Sequence, residues 1–183
     1  MKTTNHQFKH LTIYIPNWKI NTLFIGTFNP EFGEKVNYYY GRPKNRFWKL
    51  VSELTGKDIH PNDKEFFLKI KNSKIGCIDL IDNVSYLEEK HLEINGKGYS
   101  DQIILKNDVI KSYNTNIIID LIKLNNLNEV YITRNIKGFR KEQLIEIKKI
   151  KKFSNVIYLS SPSPINPNRN LVMNDWKTKI DTF

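Results

Sequence analysis

The fold of this chain is decided by a nine-residue stretch, Thr22-Leu23-Phe24-Ile25-Gly26-Thr27-Phe28-Asn29-Pro30. Its first half is short and apolar and contains β-branched residues, which is typical of a strand buried in a parallel sheet. Similar runs recur at Ile75–Leu80, Glu129–Thr133 and Asn155–Ser160, with helical patterns between them. This alternation predicts an α/β fold, a three-layer α/β/α sandwich with a central, mainly parallel four-stranded sheet.

The spacing of apolar residues predicts the helices of this sandwich. They are expected at Asn45–Leu54, Asn62–Lys71, Ser100 or Asp101 to about Lys111, Tyr113–Leu124, Lys141–Lys152 and in a last helix capped by Asn174 or Asp175. Residues 1–20 are expected to form an N-terminal arm or, at Leu11–Ile15, an edge strand, and Leu87–Tyr99 a surface loop. With 183 residues and no repeat or linker, we expect a single domain over residues 1–183.

Composition narrows the class of protein. The chain has 29 Lys plus Arg against 19 Asp plus Glu, a net charge of +10, which favours a polyanionic partner. It lacks a run of about 18 apolar residues and an N-terminal signal pattern, so we expect a cytoplasmic monomer without a membrane partner. The single cysteine, Cys77, excludes an internal disulfide, and the four histidines lack metal-ligand spacing, so we expect no metal or other cofactor.

Two polar blocks follow predicted strands near opposite ends of the chain. The first is Gly26–Pro30 with Tyr38-Tyr39-Tyr40-Gly41-Arg42-Pro43-Lys44-Asn45-Arg46-Phe47-Trp48, and the second is Leu159-Ser160-Ser161-Pro162-Ser163-Pro164-Ile165-Asn166. Loops at the carboxyl ends of parallel strands form the ligand sites of open α/β sheets. Three of the five arginines (Arg42, Arg46 and Arg169) lie in or beside these blocks, and guanidinium groups suit phosphates and base edges. Together these features favour a nucleotide ligand.

In this order, the blocks resemble the uracil-DNA glycosylase superfamily, most of all its hypoxanthine-DNA glycosylase-like and mismatch-specific branches. Gly26–Pro30 is similar to the first motif, and Tyr39–Trp48 resembles a following pair of tyrosines, Pro-x-Asn and Phe-Trp. Ile78–Val84 and Ser100–Ile104 are similar to two mid-chain segments, and Ser161–Asn166 to the Pro-Ser-Pro-like last loop. The resemblance extends over about residues 20–180.

The resemblance implies a monofunctional DNA glycosylase that flips a base out of single- or double-stranded DNA, hydrolyses its N-glycosidic bond and leaves an abasic site. If the first motif is aligned on Pro30, Asn29 positions the attacking water. If it is aligned on Gly26, that slot falls on Phe28 and the catalytic role passes to Asn45. Base-binding residues are then expected at Phe28, Tyr39, Tyr40, Asp79 and Asn166. DNA-binding residues are expected at Arg42, Lys44, Ser161, Ser163, Arg169 and Leu171, with Arg169 or Leu171 as a wedge.

The implied substrate is a deaminated base of the hypoxanthine or uracil type. Uracil-specific branches carry a histidine where Ser160 or Ser161 stands here, so efficient uracil specificity is not implied. No lysine other than Lys44 lies in the two blocks, so no strand cleavage is expected. The alternatives are a glycosylase for a bulky modified base in phage DNA, as an antiviral defence, and an inactive DNA-binding module of the same fold. Asn29-Pro30 also fits an ordinary turn, and Asn45 a helix cap.

Overall fold

A central parallel sheet organises the molecule. The computed structural model describes residues 1–96, 99–164 and 168–180. The sheet has the strand order β3 (Ile75–Asp79), β2 (Thr22–Gly26), β6 (Glu129–Ile132) and β7 (Asn155–Tyr158), and all its pairings are parallel. The predicted α/β sandwich with a four-stranded parallel sheet is confirmed.

Helices cover both faces of the sheet, because alternate residues of each strand point to opposite sides. Phe24 of β2 packs in the core formed with α1 (Phe47–Thr55), α2 (Phe66–Asn72) and α7 (Arg169–Lys179). Its neighbours Leu23 and Ile25 belong to the other core, which includes α5 (Thr115–Asn125) and α6 (Lys141–Ile150). These two hydrophobic cores lie between the sheet and the helices on its two faces.

A second, antiparallel sheet was not predicted. It consists of β1 (Lys2–Asn5), β4 (Ile81–Tyr86) and β5 (Ile110–Tyr113), with β4 in the centre. The edge strand of residues 1–20 is thus Lys2–Asn5, whereas Leu11–Ile15 forms turns. The N-terminal segment is bound to the body of the protein, since His6 also forms a β-bridge with Pro30.

The helix predicted from Asp101 to Lys111 is wrong beyond its first turn. Helix α4 covers only Asp101–Ile104, and Ile110–Tyr113 pairs with β4 instead. Ile110, whose apolar spacing with Ile103 and Ile104 had contributed to the predicted helix, is 59% exposed. The apolar spacing was compatible with a helix, but the tertiary pairing with β4 overrides that local preference.

Two further predictions of local structure are corrected. The last helix begins at Arg169, because the side chain of Asn168 accepts a hydrogen bond from Leu171 N at 3.1 Å, and not at Asn174 or Asp175. The segment expected as a surface loop contains a 3-10 helix, Glu88–Lys90, and helix α3 (His91–Asn95), whose Ile94 is fully buried. A second 3-10 helix, Ile136–Gly138, follows β6. Within the described ranges, no helix has the length and apolar character needed to cross a membrane.

The packing of α1 on the sheet predicts a difference between two leucines. Leu50 on α1 is 1% exposed, whereas Leu124 on α5 is 78% exposed. Leu50→Ala is expected to lower the free energy of unfolding by about 2–5 kcal/mol because it leaves a cavity. Leu124→Ala, the matched control, is expected to change it by less than about 0.5 kcal/mol. Urea denaturation of both variants measures the difference, and equal losses would contradict this packing.

Candidate functional site

A cleft of about 500 Å³ opens at the carboxyl ends of the parallel strands. Residues that follow each of β2, β6 and β7 line it together with the last residue of β3, Asp79. Both polar blocks of the sequence contribute to the lining, the first through residues 27–29, 39–42 and 45 and the second through residues 160–163. Residues more than 110 positions apart in the chain therefore face one nucleotide-sized space.

The two blocks are bonded directly to each other. Arg46 N donates a hydrogen bond to Pro162 O at 3.1 Å, and the Arg46 guanidinium donates to Pro164 O at 3.4 Å. Helix α7 is bonded to the second block, because Trp176 Nε1 donates a hydrogen bond to Ser160 O at 2.8 Å. Asp175, which was predicted to be a helix cap, instead accepts a hydrogen bond from Ser160 N at 2.7 Å. These bonds fix the width of the cleft on this side.

The floor of the cleft requires a glycine. In the parallel pairing Gly26 lies beside Asp79, and a Cβ at residue 26 would lie 2.0 Å from Asp79 Oδ1 and 2.8 Å from Tyr40 Oη. Tyr40 has a positive φ of 59°, its ring stacks on Phe47 at 3.9 Å, and its hydroxyl is 2.9 Å from Thr133 Oγ1. Tyr40 thus lines the cleft with one face of its ring covered by Phe47 and its hydroxyl bonded to Thr133.

Asp79 has a partner that the sequence did not reveal. His6 Nε2 lies 2.8 Å from Asp79 Oδ2, and the His6 side chain is fully buried. The other ring nitrogen, Nδ1, accepts a hydrogen bond from Phe8 N at 3.1 Å. Since His6 lies 73 residues before Asp79 and in an isolated position, no motif or spacing pointed to this pair.

Asn29 forms a cluster with Arg42 and Tyr99. Arg42 Nη2 donates to Asn29 Oδ1 at 3.2 Å, and Tyr99 Oη lies 3.1 Å from the same oxygen. The Arg42 guanidinium stacks on the Tyr99 ring at 4.1 Å, and the Tyr99 hydroxyl also donates to Phe28 O at 2.7 Å. The contact with Arg42 orients the Asn29 amide: Oδ1 accepts from Arg42, and Nδ2 is the donor left for a ligand.

Asn45 is the second predicted catalytic asparagine in the cleft. Its Oδ1 accepts a hydrogen bond from Phe47 N at 2.9 Å, at the start of α1. The interpretation of Asn45 as a local helix cap thus fits the structure, although Arg46 is the N-cap residue by backbone geometry. A carbonyl oxygen can accept two hydrogen bonds, so Asn45 Oδ1 keeps one acceptor position beyond this contact.

Asp101 is a second carboxylate in the cleft. From the sequence it was identified only as part of a helix start. Arg134 Nη1 donates to Asp101 Oδ2 at 3.1 Å. Burial raises the pKa of the Asp101 carboxyl above its ordinary value, while Arg134 and a hydrogen bond with Thr27 act in the opposite direction. Functional clefts often bring like and unlike charges together at one site. Carboxyl groups with shifted pKa values are therefore common in them.

The remaining predicted base-binding residues have different environments. Phe28 lines the cleft and is 4% exposed, and its ring meets His6 edge-on at 5.8 Å. Tyr39 also borders the cleft, but it is buried and its hydroxyl donates to Tyr14 O at 2.8 Å. Its main contribution is therefore to the wall of the cleft. Asn166 lies outside the described residues.

The predicted DNA-binding residues fall into two groups. Arg42, Ser161 and Ser163 line the cleft. Lys44, Arg169 and Leu171 are exposed and lie outside the lining as far as the described residues define it. Arg169 pairs with Glu53 of α1, and Leu171 is 64% exposed on the first turn of α7. These three belong to the surface around the cleft.

Neither metal ligands nor known relatives identify the site. Within residues 1–96, 99–164 and 168–180, no group of three His, Cys, Asp or Glu side chains is arranged to hold a metal ion. No protein-family model matches the chain, and no curated protein matches its sequence. The chemistry of the cleft residues is therefore the basis for a functional assignment.

The raised pKa of Asp101 predicts a pH-dependent stability. Between the ordinary and the raised pKa, the unfolded chain has released a proton that the folded protein keeps, so wild-type stability falls as pH rises through this window. Asp101→Asn cannot ionise, and its amide keeps an oxygen that can accept from Arg134. The Tm of the variant relative to wild type is therefore expected to increase as pH rises across this window, measured by thermal unfolding over a pH series.

Asp175→Asn provides a control of opposite sign. Burial raises the pKa of Asp175, but bonds from Lys179 and Ser160 outweigh it and hold the pKa below its ordinary value. Asp175 therefore stabilises the folded protein above its ordinary pKa, and this contribution is lost as pH falls. The Asn variant should be less stable than wild type near neutral pH and should approach it in acid. A Tm difference for Asp101→Asn that is independent of pH would refute the assignment of its shift.

Proposed function

We propose that the protein is a monofunctional DNA glycosylase that hydrolyses the N-glycosidic bond of a flipped-out, deaminated or otherwise modified base, of the hypoxanthine or uracil type. The observation that carries this proposal is the meeting of the two sequence blocks at one cleft, through the bond from Arg46 N to Pro162 O at 3.1 Å. These are the blocks that resemble the uracil-DNA glycosylase superfamily. The product is an abasic site.

The cleft has the chemistry that a flipped base requires. Flipping costs a few kcal/mol, which stacking and hydrogen bonds to the polar edge of the base must offset. Phe28 and Tyr40 are the aromatic residues proposed to stack on the base, and a stacked base gains about 1–3 kcal/mol. Asp79 and Asp101 supply acceptors for N–H groups on the base edge, and Asn29 Nδ2 supplies a donor for a carbonyl oxygen.

Asn45 is the better candidate for positioning the attacking water. Asn29 Oδ1 accepts a hydrogen bond from the charged Arg42 and has the Tyr99 hydroxyl 3.1 Å away beside it, whereas Asn45 Oδ1 has one contact, from Phe47 N. In the reaction, the water oxygen bonds to the anomeric carbon as the bond to the base nitrogen breaks; the water gives up one proton to solvent and the departing base takes up one from solvent, so that one water molecule is consumed. Asn45 orients the water by accepting one of its hydrogens.

The leaving base carries negative charge in the transition state, and arginines offset it. Arg134 is paired with Asp101, whereas Arg42 contacts two neutral groups, Asn29 and the Tyr99 ring. Arg42 forms no ion pair among the contacts of the described residues, although its charge also acts to lower the pKa of Asp101, and it is the proposed source of electrostatic stabilisation for an anionic leaving group. Arg42 would thus take the role that the histidine has in the uracil-specific branches.

The surroundings of the cleft suit a DNA backbone. The loop of Ser161, Pro162 and Ser163 borders the cleft, and the Ser161 hydroxyl, whose oxygen accepts from Ser163 N at 3.3 Å, can donate its hydrogen to a phosphate. The exposed Lys44 adds positive charge beside Asn45, Arg169 is available to phosphates only if it leaves its ion pair with Glu53, and the exposed Leu171 can enter the gap that a flipped base leaves. No lysine lines the cleft in the part of the chain that the structure describes, and we propose base release without strand cleavage. The proposal includes a cytoplasmic monomer that needs no cofactor.

The water-positioning role predicts unequal effects of two substitutions. Asn45→Ala is expected to lower the rate of base release about 100-fold or more, because the water loses its acceptor. Asn29→Ala should lower it less, and Asn45→Asp, which keeps an acceptor, should retain most activity. Abasic-site formation is measured on duplexes with a single deoxyinosine, deoxyuridine or glucosylated hydroxymethylcytosine, with Asn155→Ala as a control at an exposed asparagine.

The same panel separates the alternative functions. Unchanged release by both Asn29→Ala and Asn45→Ala would defeat the mechanism proposed here. Binding of every duplex without release of any base would favour the inactive DNA-binding module. Release from the glucosylated duplex alone would favour the phage-DNA alternative, for which a 500 Å³ cleft has room.

A further inference from the structure

His6 is a buried histidine in a segment that carries none of the recognised motifs. Its side chain is fully buried, and four aromatic rings surround it at centroid distances of 5.1–5.8 Å, those of Phe8, Tyr14, Phe28 and Tyr39. Its only charged neighbour among the contacts of the described residues is Asp79, at 2.8 Å. A residue near the N-terminus thus contacts Asp79, which lines the cleft.

The hydrogen bonds of His6 define its tautomer. Phe8 N donates to Nδ1 at 3.1 Å, so Nδ1 carries a lone pair and the ring proton is on Nε2. Nε2–H therefore donates to Asp79 Oδ2. This bond fixes the rotation of the carboxylate and leaves Oδ1, which lies above Gly26 beside the Tyr40 hydroxyl, as the acceptor at the cleft.

The N-terminal segment is also attached to the protein by bonds that do not involve the His6 side chain. The segment is attached by backbone bonds from His6 N to Asp82 O at 2.9 Å and from Gln7 N to Asn29 O at 2.8 Å. Lys9 Nζ adds an ion pair with Asp82 at 2.6 Å, and Tyr14 Oη donates to the same carboxylate at 2.8 Å. These attachments are separate from the bond between His6 Nε2 and Asp79, so the two can be tested independently.

We propose that His6 is a positioning residue that holds Asp79 as a fixed hydrogen-bond acceptor for the base, an inference that rests on the proposed function. Deamination converts the ring nitrogen N1 of adenine or N3 of cytosine from an acceptor into an N–H donor. A carboxylate has no hydrogen to donate, so Asp79 Oδ1 pairs with the N–H of hypoxanthine or uracil and repels the bare ring nitrogen of the normal base. His6 acts on selectivity through this orientation, without touching the base.

The test compares single-turnover base release from deoxyinosine and deoxyuridine duplexes. His6→Ala is expected to lower the rate at saturating enzyme roughly 10- to 100-fold with little change in the half-saturating enzyme concentration, because a misplaced group costs mainly the chemical step. His6→Gln keeps an N–H donor near the position of Nε2 and should restore most of the rate. The double variant His6→Ala with Asp79→Asn should be no slower than Asp79→Asn alone, because His6 acts only through Asp79.

Lys9→Met is the matched control for attachment of the N-terminal segment. It removes the ion pair with Asp82 and is expected to lower Tm without changing the rate of release. The inference is overturned if His6→Gln is as slow as His6→Ala, if the effects of His6→Ala and Asp79→Asn are additive, or if Lys9→Met slows release in proportion to its loss of Tm.

Failure of the proposed function is a separate outcome. If wild type releases no base from any duplex, the glycosylase proposal fails, and the variants are compared by affinity for duplexes with 2′-fluorodeoxyinosine or deoxyadenosine at one site. A wild-type preference for the inosine duplex that His6→Ala removes still supports the positioning role. No such preference, or one that His6→Ala leaves intact, rules it out.

Discussion

The close approach of two backbone strands at Gly26 is the constraint on which the cleft depends. Gly26 ends β2 beside Asp79 at the end of β3, and the space that a side chain would occupy holds Asp79 Oδ1 and the Tyr40 hydroxyl. Because the carboxylate leans over the neighbouring strand, its second oxygen points back toward His6. Any side chain at residue 26 would displace both the acceptor and the tyrosine, and the floor of the cleft would be lost.

The charged residues of the cleft differ in the partners that they contact. Asp79 is bonded to His6 and Asp101 to Arg134, while Arg42 rests on neutral groups. Burial raises the pKa of Asp101, so keeping this carboxylate in the cleft costs stability near neutral pH. A cost of this kind is common at functional sites, where residues are kept for chemistry at the expense of stability.

The sequence could predict the parallel sheet and the two blocks of the cleft because both depend on local patterns. Buried β-branched runs identify the strands, and polar residues after a strand must lie at its carboxyl end. The second sheet was missed because Ile110–Tyr113 has apolar spacing that also fits a helix, and only pairing with β4 decides its structure. His6 was missed for a related reason, since its role depends on a contact across 73 residues.

The second sheet supports Asp79, which lies at the junction of the two sheets. Its strand β3 passes into β4 after Leu80, and Leu80 N and Ile81 N donate to Gly26 O and Thr27 O at 3.0 and 3.1 Å. From the other side, Asn114 Nδ2, just after β5, donates to Asp79 O at 2.9 Å. The antiparallel sheet also holds β1, which continues into His6. The sheet that the sequence did not predict thus fixes both the backbone and the side chain of Asp79, so its strands belong to the site although they lie behind the cleft.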